Sequence, residues 1–84
     1  MKLIYCPNCG DVMNLLFATR TCRCRESWGQ YLSDIDAVYG GQAVPLGINN
    51  FSFHEALNTQ PKAGLGKIFE AFVIPRQCDT FTKK

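Results

Sequence analysis

The sequence predicts a small, mainly β fold of the α+β type. The chain has 84 residues, which is enough for one domain spanning residues 1–84. Short apolar runs are separated by Gly, Pro, Asn and Asp, a pattern typical of short strands joined by turns. Four of the five cysteines form two close pairs. We therefore expect an N-terminal part over residues 1–25 that is held together through its cysteines, and a β-rich extension over residues 26–84.

The N-terminal part reads as two strands joined by a turn. Residues 2–5 are an apolar strand that leads into the first cysteine pair. The chain turns at Pro7 and Asn8 and leaves through Gly10, a residue type that tolerates positive φ. Residues 12–18 then form the predicted returning strand.

The next segment predicts a third strand and a hairpin. Aromatic residues mark a strand over residues 28–32, and residues 33–36 have the composition of a turn. A Gly-Gly pair between the runs 37–39 and 42–48 is a hairpin signal. Because Pro45 cannot donate to a β ladder, we expect its strand to lie at a sheet edge or to carry a bulge.

The last third predicts one helix and one strand. Ser52 followed by Glu55 matches a capping box, which predicts a helix over residues 53–58. Residues 68–75 are apolar at nearly every position, so we expect a strand buried on both faces. The polar tail from residue 76 onward is expected to fray.

The cysteine spacing predicts a metal site. Cys6 and Cys9 are separated by two residues, Cys22 and Cys24 by one, and the pairs by twelve. Four thiolates brought together by two tight turns are the ligand set of a tetrahedral structural zinc ion. We therefore predict one structural zinc ion bound by these four cysteines.

The first pair carries a family resemblance. The run Cys6-Pro7-Asn8-Cys9-Gly10, together with the second pair, is similar to a zinc ribbon, and the chain resembles the short zinc-ribbon proteins of bacteria and phages. The resemblance covers residues 1–25. It implies metal binding and leaves the function open, because zinc ribbons serve many processes.

Other uses of the cysteines stay open at this point. Iron in a rubredoxin-like site would need a second Cys-Pro-x-Cys-Gly turn, and the sequence has Arg25 where that glycine would stand. Disulfides would require an oxidising compartment and would leave one of five cysteines unpaired. Cys78 or His54 is an alternative ligand if the shorter second turn cannot present both sulfurs.

The basic residues suggest an alternative partner. Net charge is +2, but four thiolates on a divalent ion add −2 and bring the protein close to neutral. Basic and aromatic residues near the second pair can bind single-stranded nucleic acid. The candidate residues are Lys2, Arg20, Arg23, Arg25 and Trp28. The competing interpretation is that the arginines offset the thiolate charge and that Trp28 packs in the core.

No acid–base or nucleophile pattern is present in the sequence, so we do not expect an enzyme. The expected role is docking onto a larger protein assembly through an apolar patch and an edge strand at residues 44–48. Nucleic-acid binding is the first alternative, and a phage-derived regulatory or anti-defence factor is the second. No apolar run reaches membrane-spanning length and the cysteines begin too early for a secretion signal, so we expect a cytoplasmic protein with no membrane partner.

Overall fold

A computed structural model describes residues 1–84 and contains two four-stranded sheets and one short helix. The elements in chain order are β1 (Lys2–Tyr5), β2 (Val12–Asn14), β3 (Arg20–Thr21), β4 (Ser27–Tyr31), β5 (Ala37–Gly41), β6 (Val44–Ile48), α1 (Asn50–Asn58), β7 (Ala71–Val73) and β8 (Phe81–Lys83). The prediction of a small, mainly β fold is confirmed.

The strands of the two cysteine turns belong to different sheets. The first sheet has the order β2-β1-β6-β7 and is antiparallel throughout. The second has the order β3-β4-β5-β8, in which only the pair β5–β8 is parallel. The first cysteine pair therefore follows a strand of the first sheet, and the second pair follows a strand of the second sheet.

The core lies where these two sheets face each other. Ile4 of β1 and Phe81 of β8 are completely buried, and the Phe81 ring meets Tyr39 edge-on at 5.0 Å between centroids. The same cluster contains Cys6 and Cys22. The side chains of these two cysteines are therefore continuous with the apolar core.

The predicted Gly-Gly hairpin is wrong, because β5 and β6 pair with strands of different sheets. Gly41 has a φ of +68°, and a Cβ there would lie 2.0 Å from the carbonyl oxygen of Glu26. The next amide, of Gln42, donates to that same oxygen at 2.7 Å. The glycine pair thus lets the chain pass tightly over the start of β4 and cross from the second sheet to the first.

The prediction that residues 44–48 form an edge strand is also wrong. β6 lies inside the first sheet, between β1 and β7. The Pro45 carbonyl accepts a hydrogen bond from the Ile74 amide at 2.9 Å, so the ring nitrogen of Pro45 faces the β7 side of the strand. β7 ends at Val73, so the missing donor costs the sheet little.

The strand predicted over residues 12–18 ends at Asn14. Leu15 turns into the core, and the carbonyl of Leu16 accepts a hydrogen bond from the Tyr31 amide at 2.8 Å. That contact ties the loop to the end of β4. The loop between β2 and β3 is therefore held by the second sheet and does not continue the first.

The helix starts three residues before the predicted start and uses a different cap. α1 spans Asn50–Asn58, and the Asn49 side chain accepts from the amides of Phe51 and Ser52. The predicted capping box does not form, because Ser52 Oγ accepts from the Glu70 amide and the Glu55 carboxylate pairs with Lys67. Asn at the N-cap is as favourable as Ser.

Both predictions for the C-terminal third are corrected. The strand predicted over 68–75 is reduced to β7, and all three of its residues are exposed. The tail does not fray: β8 pairs in parallel with β5, and Phe81 anchors it in the core. A run of apolar residues does not indicate the length of the strand or whether a second layer of structure covers it. No helix in the structure has the length and apolar character required to cross a membrane.

Candidate metal centre

The first cysteine turn is closed by two backbone hydrogen bonds. The Cys6 amide donates to the Asp11 carbonyl at 2.8 Å, and the Gly10 amide donates to the Cys6 carbonyl at 2.7 Å. Gly10 has a φ of 75°, in the left-handed region where glycine has no steric penalty. The turn is therefore built as expected from a Cys-x-x-Cys-Gly sequence.

The second turn also brings two cysteines close together, with one residue fewer between them. The Cys22 amide donates to the Ser27 carbonyl and the Arg25 amide to the Cys22 carbonyl, both at 3.0 Å. Arg25 has a φ of 65° and is the only non-glycine residue with positive φ. Arg25 thus occupies the conformation that Gly10 occupies in the first turn, at a cost that glycine would avoid.

The two turns bring four sulfur atoms into one cluster. The Sγ atoms of Cys6, Cys9, Cys22 and Cys24 all lie within 4.8 Å of one another. Cys24 Sγ is 3.6 Å from Cys6 Sγ and 3.5 Å from Cys22 Sγ. Metal–sulfur bonds of ~2.3 Å in a tetrahedron place sulfurs about 3.8 Å apart. The four cysteines are therefore spaced to hold one metal ion, and all five cysteines of the chain are free thiols.

The surroundings of Cys6 favour its thiolate. The nearby Ser27 hydroxyl is the largest cause, and with the amides of Cys9 and Asn8 it outweighs burial and lowers the pKa of Cys6 to about 6. Backbone amides directed at a thiolate are the usual second layer of a metal–sulfur site. Cys6 is thus poised to ligate a cation at neutral pH.

The pKa values of the two cysteines in the second turn shift in opposite directions. Burial raises the pKa of Cys22, but the Cys24 thiol and the Ser27 amide outweigh it and hold that pKa below its ordinary value. The Asn8 side chain and the Glu26 amide lower the pKa of Cys24, yet burial and the neighbouring sulfurs raise it to about 11. A bound cation would lower the pKa of Cys24, because it offsets the repulsion between neighbouring thiolates.

Ser27 provides an independent test of whether a metal–thiolate centre fits here. Its side chain is completely buried, and its Oγ makes no hydrogen bond of ordinary geometry, although it lies close enough to Cys6 to dominate the pKa of that thiol. A buried hydroxyl without a partner is costly. A metal-bound Cys6 thiolate would accept a hydrogen bond from this hydroxyl, so the residues present fit a bound ion. Nothing in the sequence distinguishes Ser27 from the other serines.

Arg23 and Asp11 hold the two turns together. The guanidinium of Arg23 donates to the Cys9 carbonyl at 2.8 Å, and its backbone amide donates to an Asp11 carboxylate oxygen at 3.3 Å. Both contacts join the second turn to the first. Arg23 therefore has a structural task beside the sulfurs.

The remaining residues predicted for nucleic-acid binding make separate contacts within the fold. Arg20 donates to the Asn14 side chain and carbonyl, and the Trp28 indole lies over Gly40, where a Cβ would be 2.4 Å from Nε1. Lys2 stands at the other end of β1, about 13 Å along the strand from Cys6. Among the five predicted residues, only Arg25 has an exposed side chain without a hydrogen bond. Nucleic-acid binding stays a prediction.

The two alternative ligands lie outside the cluster. Cys78 is half-buried, packs against the core and contacts Thr80 Oγ at 3.5 Å, a contact that lowers the pKa of its thiol. His54 lies on α1 with its ring 5.9 Å from that of Phe53. Neither residue belongs to the four-cysteine group.

Comparisons of the chain with protein-family models, with curated proteins and with solved structures give no match. The function therefore has to be argued from the geometry of the site and from the surface of the molecule.

Proposed function

We propose that this chain is a small protein whose fold is fixed by one structural zinc ion and whose role is to bind another protein. The zinc part rests on the donor set: four sulfurs, with no nitrogen or oxygen donor in the group. Four thiolates in a tetrahedron suit zinc or iron among the common metals. The resemblance of the first turn to a zinc ribbon, and the absence of a second Cys-Pro-x-Cys-Gly turn, favour zinc.

The proposed zinc is structural because the protein fills its coordination. Catalytic zinc keeps an open position for water or substrate, whereas four cysteine ligands close the site. Cys6 and Cys22 are also buried in the core cluster, which leaves a substrate little access to the ion from their side. We accordingly propose a non-enzymatic protein.

The proposal that the chain binds another protein depends on the exposed apolar side chains of one segment. Residues 51–73 contribute seven of the thirteen large apolar side chains that the molecule exposes. We call these seven side chains the apolar flank: Phe51, Leu57, Leu65, Ile68, Phe69, Phe72 and Val73. A concentration of large exposed apolar side chains in one segment of a small domain favours an interaction site. β7 brings an open sheet edge to it, in place of the edge predicted at β6.

A binding assay with matched variants tests this proposal. The zinc-loaded chain is immobilised and used to capture protein, and Val73→Asp is compared with Val12→Asp. Both valines are exposed and lie in the two edge strands of the first sheet. We expect the same partner with wild type and Val12→Asp and its loss with Val73→Asp. Equal capture by all three chains would show that the apolar flank is not the binding surface.

A further inference from the structure

Most of the apolar flank is left exposed by its own chain. α1 has no buried residue and contacts mainly the segment that follows it, through the Phe53–Phe69 ring pair at 4.8 Å and the Glu55–Lys67 ion pair. Leu65 is 98% exposed and Ile68 is 89% exposed. The helix and the segment after it thus pack on each other beside the first sheet. Their outer apolar side chains are left exposed.

The edge of β7 has free backbone groups. The Ile74 amide donates to Pro45, and the Glu70 carbonyl accepts from Asn49, so the even-numbered positions face β6. The amides and carbonyls of Ala71 and Val73 therefore point away from the sheet. The strand carries no charge, proline or bulge, which are the devices that normally protect an edge.

The molecule exposes more surface than a compact chain of its mass. The chain exposes 5984 Å², whereas a folded monomer of 9.4 kDa exposes about 5,000 Å². The radius of gyration is 14.1 Å, against about 12 Å for a compact chain of 84 residues. The excess area, about 1,000 Å², is close to the roughly 800 Å² that each partner buries in a standard interface.

Charge allows two copies of this surface to meet. Residues 51–73 contain Glu55 and Glu70, and Lys62 and Lys67, so their net charge is zero with His54 neutral. Glu55 and Lys67 already pair with each other. Two such surfaces related by a twofold axis carry no net charge, so their approach meets no net electrostatic repulsion.

We propose that the occupant of the apolar flank is a second copy of this chain, joined by antiparallel pairing of the two β7 strands. Ala71 of one copy lies opposite Val73 of the other, which makes about four backbone hydrogen bonds, and the two Phe72 residues lie side by side. The two first sheets then form one continuous sheet. This inference rests on the proposed function, in that it names the protein that the surface binds.

Sedimentation equilibrium of the full zinc-loaded chain from micromolar to submillimolar concentration tests the dimer. We expect a mass of about twice 9.4 kDa at the upper end. Val73→Asp should raise the dissociation constant by at least about tenfold, because it places a carboxylate in an apolar contact. Val12→Asp, on the opposite edge of the same sheet, should leave it unchanged.

A second variant removes a bond without adding charge. The Ala71 amide points out of the sheet, so Ala71→Pro keeps the β6 pairing and deletes a donor to the second copy. Its circular dichroism should match that of the wild type while its dissociation constant rises. A fully folded Ala71→Pro chain that dimerises as tightly as wild type contradicts β7 pairing.

The possible results separate this inference from the proposed function. A wild-type chain that is monomeric throughout overturns the dimer. If that monomer still captures a different protein, and Val73→Asp loses it, the flank binds a foreign partner and only the inference falls. If the chain dimerises through β7 yet contains no zinc, the inference stands and the zinc part of the proposed function falls.

Discussion

At the scale of single residues, Arg25 is the position where this sequence conflicts with its own fold. It holds a φ of 65° after Cys24, in the place that Gly10 takes after Cys9. A side chain in the left-handed region costs ~1–2 kcal/mol, and glycine avoids this cost.

Arg25→Gly should therefore stabilise the zinc-loaded protein by about 1 kcal/mol, measured as a shift in the urea unfolding midpoint. Arg25→Ala is the matched control, because it removes the guanidinium and keeps the Cβ. An equal gain from both variants would assign the effect to the side chain and contradict the backbone explanation.

Gly41 is the reverse case, a position that accepts no side chain. Gly41→Ala would combine a φ of +68° with a Cβ 2.0 Å from the Glu26 carbonyl oxygen. We expect a loss of more than about 2 kcal/mol in the free energy of unfolding. Gly66→Ala, where a Cβ meets nothing within 4 Å, serves as the control and should change stability little. A Gly41→Ala chain as stable as wild type would exclude the tight crossing between the sheets.

The sequence identifies which single residues matter better than it identifies the residues that they contact in the fold. The four cysteines are visible from spacing alone, and the missing glycine after Cys24 was visible as a departure. The buried hydroxyl of Ser27 was not visible, because its position beside Cys6 depends on how two sheets meet. The Arg23–Cys9 contact likewise joins residues fourteen apart through a fold that local patterns do not specify.

At the scale of elements, β8 shows how composition can mislead. The last nine residues are polar apart from Cys78 and Phe81, and the Phe81 ring is completely buried between β5 and the rest of the core. This ring is the main anchor of the tail, since a buried aromatic ring contributes several kcal/mol.

Phe81→Ala should lower the free energy of unfolding by about 3–5 kcal/mol, measured by chemical denaturation of the zinc-loaded chain. Phe51→Ala removes a ring of the same kind that is 91% exposed and should change it by less than about 0.5 kcal/mol. Similar small effects for the two variants would mean that the tail is not part of the core.

Element positions were easier to predict than element partners. The strands at β1, β4 and β5 follow from apolar and aromatic residues between turn formers. Pairing does not follow, because the Gly-Gly signal is the same for a hairpin and for a crossing between sheets. The helix was found but its cap was not, since Asn49 and Ser52 are equally good caps by type.

At the scale of the whole molecule, the four-cysteine site links the two sheets. Cys6 follows β1 of the first sheet, whereas Cys22 follows β3 of the second. A bound ion therefore crosslinks both layers of the fold. Its removal should loosen the entire core and not only residues 1–25.

Zinc affinity should rise with pH, because binding displaces a proton from Cys24. The pKa of Cys6 is about 6 and that of Cys24 about 11, so near neutrality Cys6 is largely thiolate and Cys24 still carries its proton. Between these values each pH unit should raise the apparent affinity at least about tenfold, measured by competition with a chromophoric chelator. A pH-independent affinity would contradict the protonation pattern of the site.

The most direct measurement is the metal content of the purified chain by elemental analysis, with Cys24→Ser and Cys78→Ser measured beside it. We expect one zinc ion per chain in the wild type, the same in Cys78→Ser, and weakened or absent zinc in Cys24→Ser. Cys78 lies outside the four-cysteine group and so controls for the loss of a thiol. A wild-type chain containing iron or no metal, or equal zinc in all three chains, would contradict this expectation.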